Sequence, residues 1–123
     1  MLEAYSINIA VGADAPIPFN SISVEKGCTA VLQSPTTIQL NKCGVYMISF
    51  DGTASASTTV QLSKNNVLQA QAQSTGTHTS FVTLVQVTEN NTCCPCTSPT
   101  LISFMNTDAV TFTNANVVVT KLV

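Results

Sequence analysis

The chain has no arginine, no tryptophan, a single histidine and very little charge of either sign. Charged residues make up 8% of its 123 residues, against about 25% in an ordinary domain. Four Lys face six Asp and Glu, for a net charge of -2. Nucleic-acid binding needs a basic patch to neutralise phosphates, so that class is excluded. Long hydrophobic runs are also missing. The densest, at 44–50 and 117–119, fall far short of the roughly 18 apolar residues of a membrane span. The opening Met-Leu-Glu-Ala-Tyr-Ser lacks a basic stretch followed by an apolar one. No secretory signal is therefore expected, and synthesis in the cytoplasm is.

The usual catalytic signatures are absent as well. A cupin-type metalloenzyme needs two or three histidine ligands, and only His78 exists. No Gly-rich phosphate loop and no Gly-x-Ser-x-Gly elbow occurs. The six carboxylates, Glu3, Asp14, Glu25, Asp51, Glu89 and Asp108, are scattered, with no Asp-rich calcium loop. A non-enzyme with no cofactor and no metal is expected.

What the chain does have is alternation. Tyr5-Ser6-Ile7-Asn8-Ile9-Ala10-Val11 and Val45-Tyr46-Met47-Ile48-Ser49-Phe50 place successive side chains on opposite faces, as half-buried strands do. Polar positions fall to 18 Thr, 12 Ser, 10 Asn and 7 Gln, and the abundant Thr and Val oppose helix. Eleven short strands are predicted, at 4–11, 17–24, 29–33, 37–40, 44–55, 58–64, 67–74, 79–88, 100–106, 109–114 and 116–122. Asn65-Asn66 reads as a two-residue hairpin turn, because Asn tolerates positive φ. Thr75-Gly76-Thr77-His78-Thr79 reads as a second hairpin tip. Strands this short and frequent predict one all-β sandwich or barrel over 1–123. Such sheets guard their edges with charge, usually Lys, which is scarce here, so burial against identical copies is expected.

Five cysteines are the strongest candidates for chemistry. Cys93-Cys94-Pro95-Cys96 lies between two strands, too tightly spaced for a zinc knuckle. One or two structural disulfides with a thiol left over is the expected outcome, with metal or a reactive thiol as the alternatives. Cys28 and Cys43, each at a strand start, read equally as small core residues. Tyr46, Ile48 and Phe50 share one face and read as core. Phe81, Phe104 and Phe112 join them as candidates for the core or for a face between copies.

Residues 38–50, Ile-Gln-Leu-Asn-Lys-Cys-Gly-Val-Tyr-Met-Ile-Ser-Phe, resemble the central strand of C1q/TNF-like jelly-roll domains, especially bacterial and phage members such as the heads of spore-surface collagen-like glycoproteins. The hairpin at 60–67 and the closing segment 110–122 are similar to that family too. The resemblance covers about 15–123 and implies a jelly roll of about ten short antiparallel strands, assembled as a homotrimer. Two features depart from it: no collagen-like Gly-x-y repeat is present, residues 1–14 supplying an extra strand or docking arm instead, and the cysteine cluster at 93–96 is not part of the family pattern. The expected role is a non-enzymatic structural or binding protein on a particle surface: a phage or prophage head-fibre knob, tail-tip knob or capsid decoration. It would meet a host-surface glycan or protein through loops near 75–80 and 89–99. The alternative is a spore-coat or cell-surface lectin-like module.

Overall fold

The computed structural model describes residues 1–87 and 100–123. Nine strands occur among them: β1 (Leu2–Val11), β2 (Ala15–Pro16), β3 (Ser21–Glu25), β4 (Ala30–Ser34), β5 (Thr37–Leu40), β6 (Gly44–Lys64), β7 (Val67–Val87), β8 (Thr100–Asn106) and β9 (Val110–Lys121). All pairings are antiparallel, and no helix is present among the described residues. None is therefore long and apolar enough to cross a membrane.

Two strands organise everything else. The first half of β6 lies between β9 and the second half of β7, with Phe50 opposite Val117 and Phe81. Its second half lies between β8 and the first half of β7. Between Thr53 and Thr58 the register breaks on the β7 side. There β6 leaves the sheet β3-β1-β9-β6-β7 and enters the sheet β7-β6-β8-β5-β4. The pair thus forms one long hairpin that belongs to both layers. Its tip is the Asn65-Asn66 turn, with φ of 50° and 67° and Lys64 opposite Val67.

Several predicted boundaries are corrected by this geometry. Segments 44–55 and 58–64 are one strand, as are 67–74 with 79–88 and 109–114 with 116–122. Thr75–Thr79 is not a hairpin tip. It is mid-strand in β7, where Gly76 (φ 144°) sits at the crossing between sheets. In β9 the buried positions run Val110, Phe112, then Ala115, Val117, Val119, a change of parity within one continuous strand. Strand β1 changes parity with it, from Leu2, Ala4 and Ser6 to Val11, across a positive-φ Asn8. The stretch 17–24 is a strand only from Ser21, yet Ile17 and Phe19 are fully buried beneath it.

The core fills the space between the layers. Tyr46, Ile48, Phe50, Phe104 and Phe112 are wholly buried within the single chain, with Phe19, Leu62 and Val117. Phe81 is half-buried and stacks on Phe50 at 5.7 Å, while Phe50 stacks on Phe104 at 5.1 Å. Buried rings of this size carry much of a core's stabilisation, each worth roughly 1.5–3 kcal/mol in transfer alone. The Tyr46 hydroxyl donates to Lys42 O at 2.8 Å, so burying that ring strands no polar group. Residues 1–14 do not stand apart as an arm. Strand β1 runs beside β9 from Leu2↔Val119 to Val11↔Val110 and puts Leu2 and Ala4 in the core.

Candidate assembly surface

The outward face of the β3-β1-β9-β6-β7 sheet is built by the alternation that fills the core. Because Tyr46, Ile48 and Phe50 point inward, Val45, Met47, Ser49 and Asp51 point outward. On β7, Phe81, Thr83 and Val85 turn in, which sends Val82, Leu84 and Gln86 out. Register then aligns these residues in rows. Met47 lies between Leu84 and Thr120, and Ser49 between Val82 and Val118. Val82 is 63% exposed, Leu84 57% and Met47 37%. Single exposed apolar residues are ordinary, but adjacent ones on neighbouring strands form a patch.

The patch adjoins an edge that is open among the described residues. Val45 donates its N–H to Val123 O (3.2 Å) and accepts from Leu122 N–H (2.7 Å), so both its backbone groups face away from β7. Val45↔Gln86 is therefore a non-hydrogen-bonded pair, and by alternation so are Met47↔Leu84 and Ser49↔Val82. The N–H and C=O groups of Val82, Leu84 and Gln86 thus point off the sheet. Only β6 pairs with β7 among the described residues. Lys64 Nζ reaches Gln86 O at 2.8 Å and covers one of these edge carbonyls. Val82 and Leu84 present apolar side chains outward and open backbone sideways, which is the arrangement a partner surface would close.

The other end of this face is polar. His78 Nε2 lies 3.1 Å from Asp51 Oδ1, and His78 Nδ1 lies 3.2 Å from Thr53 Oγ1. On β1, Glu3 accepts from Ser23 Oγ (2.6 Å) and from Asn116 Nδ2 (3.3 Å). These two donors, Ser23 first, hold the Glu3 carboxyl below the ordinary carboxylate range. Among the described residues the partners of His78 are Asp51 and Thr53, and no cysteine is one of them. No group of three His, Cys, Asp or Glu among the described residues could hold a metal.

The sequence-predicted residues divide sharply. Tyr46, Ile48, Phe50, Phe104 and Phe112 lie in the intrachain core and are not available to a face between copies. Cys28 is free and exposed, contrary to its reading as a core residue, because it sits in the turn before β4. Cys43 is buried and disulfide-bonded. Cys93, Cys94 and Cys96, and the binding loop expected at 89–99, lie outside the described residues. The loop expected at 75–80 is strand. Val82 and Leu84 went unnoticed in the sequence, since Phe81-Val82-Thr83-Leu84-Val85 is largely apolar on both faces.

A two-layer, all-antiparallel sandwich whose longest hairpin serves both sheets defines a jelly roll. No family model and no curated relative matches the chain. Solved structures do. The globular domain of zebrafish complement 1qA protein superposes with a TM-score of 0.64 at 8% identity, over 95% of this chain and 94% of that one. Murine APRIL gives 0.61 at 9% identity, over 98% of each chain. Rabbit GITRL gives 0.57 at 16% identity, over 100% of this chain and 95% of that one. The chain has the C1q/TNF-like jelly-roll fold, and residues 1–14 are part of it.

Proposed function

We propose that this chain is a non-enzymatic structural and binding module that works as a homotrimer on the surface of a larger particle. One observation carries the reading: the outward apolar strip of Met47 on β6 with Val82 and Leu84 on β7, whose outer edge is open among the described residues. Burying such side chains is worth roughly 1.5–3 kcal/mol each. A stable interface needs about 800 Å² per partner, so neighbouring sheet surface must join the strip. The likeness to C1q- and TNF-type structures supports assembly of this kind. The charge-poor Thr/Ser/Asn/Gln surface suits a phage or prophage virion, as a head-fibre or tail-tip knob or a capsid decoration that meets a host surface. Repeated weak contacts on one trimer gain strength by avidity.

Light scattering with and without reductant tests the assembly. A mass near three times 12.9 kDa in both conditions is the expected result. A monomer in both conditions overturns it, and loss of the trimer with reductant transfers assembly to the cysteines. Co-purification with phage particles after prophage induction tests the setting, and absence from purified particles would refute it.

A further inference from the structure

The second sheet carries a pocket of about 250 Å³ on its outer face. Gln61 and Ser63 of β6 form its centre, with Met105 opposite Gln61 on β8 and Leu68 opposite Ser63 on β7. Asp14, in a positive-φ turn, and Thr107 close one side, held together by Asp14 N–H donating to Thr107 O at 3.2 Å. Asn66 of the β6–β7 turn closes another.

Ser63 is the informative residue. It faces away from the core yet is only 5% exposed, and its hydroxyl has no hydrogen-bond partner among the described residues. Among the described residues no fully enclosed side-chain polar atom lacks a partner, so this hydroxyl opens into the pocket it lines. A buried polar group is ordinarily paired, and one that opens into a cavity offers its hydrogen bond to whatever enters. Around this hydroxyl lie both acceptors and donors that no hydrogen bond among the described residues uses. The Asp14 carboxylate has no side-chain partner among the described residues, and Gln61 donates to Gln69 O at 3.1 Å, which leaves its own carbonyl oxygen free. Asn106 is spent, since it binds the Thr58 hydroxyl, Gly12 O and Asp108 O. Leu68 and Met105 supply an apolar wall.

We infer that this pocket binds a single neutral sugar ring. A pyranose offers hydroxyls that both donate and accept, and a C–H face that covers Leu68 and Met105. A primary amine fits less well. It would place its charge beside the neutral Ser63 hydroxyl and the apolar wall, because the one carboxylate, Asp14, is at the exposed rim. Drug-sized ligands occupy roughly 300–1,000 Å³, so the volume admits one ring and little more. With no aromatic side chain in the lining, the dissociation constant is on the order of millimolar. Useful binding then depends on several copies acting together, which rests on the assembly proposed above.

The test titrates isotope-labelled full-length chain with glucose, galactose, mannose and N-acetylglucosamine, and with n-butylamine as the cationic comparison. The Met105 and Leu68 methyl signals report the pocket. Saturable shifts there with at least one sugar are expected, weakened about fivefold by Ser63→Ala, the loss of one hydrogen bond. Ser63→Ala removes only a hydroxyl, and Gln61→Ala gives a second variant should the first misfold. No saturable shift, shifts unchanged in both variants, or saturation by butylamine alone would overturn the inference. Light scattering on the same samples separates the two proposals. Sugar binding by a monomer sinks only the assembly, and a trimer blind to every sugar sinks only the pocket.

Discussion

Met47 and Leu84 face each other across a non-hydrogen-bonded pair of β6 and β7, and both side chains point to solvent. Side chains in such pairs stand closer than in hydrogen-bonded ones, so the two form a single apolar surface unit. Leu84→Glu places a charge at the centre of that unit without touching the core. The expected outcome is a monomer of 12.9 kDa by light scattering with an unchanged β-type circular dichroism spectrum. Stability of the isolated chain should move by no more than about 0.5 kcal/mol, as for other outward positions. A trimer that survives this substitution would place the interface elsewhere.

Asn106 is completely buried and ties three segments together, through Thr58 on β6, Gly12 after β1 and Asp108 before β9. Asn106→Ala removes three hydrogen bonds at once and leaves the buried Thr58 hydroxyl without its acceptor. A loss of about 2–4 kcal/mol is expected in urea denaturation, from several unsatisfied groups of roughly 1–3 kcal/mol that partly relax.

Gly44 starts β6 at φ 146°, and a β-carbon there would come within 2.1 Å of Val123 O. Gly44→Ala must push the C-terminal residues away, which breaks the Val45 N–H bond to Val123 O. A cost of about 1–3 kcal/mol follows from the strained backbone. The direct check is amide exchange: Val45 should exchange faster in the variant while Phe50 and Leu62 lose only what global stability they share.

Glu3 gives the pH dependence its sign. Its carboxyl titrates below the ordinary range when folded, because Ser23 and Asn116 donate to the charged form. Stabilisation from this group is therefore present above the unfolded-state value and is lost as pH falls through the folded one. Carbon-detected titration should place the Glu3 midpoint below the ordinary glutamate range, and Ser23→Ala should raise it. An unmoved midpoint would mean that the hydroxyl contact does not persist in solution.

Much of the fold was legible because the core strands alternate cleanly. Tyr46, Ile48 and Phe50 announce an inward row, and Asn65-Asn66 announces its turn. The joins were not legible. Ala54-Ser55-Ala56-Ser57 has small side chains that suit a strand and a break equally, and only the second sheet decides that β6 continues. Gly76 beside His78 has the composition of a turn, but its positive φ serves a crossing within β7. The parity change in β9 looks like two strands for the same reason, since alternation is assumed constant within one. The assembly surface was hidden by Thr83, a polar residue turned inward between two apolar residues turned outward. The pocket was hidden because Ser63 takes its burial from neighbours far along the chain, and no local pattern carries that.

The pairing of β1 with β9 has a consequence for how the molecule is made. The β6–β7 hairpin closes through two residues and needs little chain entropy, whereas Leu2 meets Val119 only after all the intervening chain has been made. Until then β1 has β3 alone for company, and the apolar side of that two-stranded ribbon stays wet. Leu2 and Ala4, made well ahead of their β9 partners, are thus among the last to be sealed. Pulse-labelled exchange during refolding would reveal that order, with the amides of β6 protected ahead of those of β1.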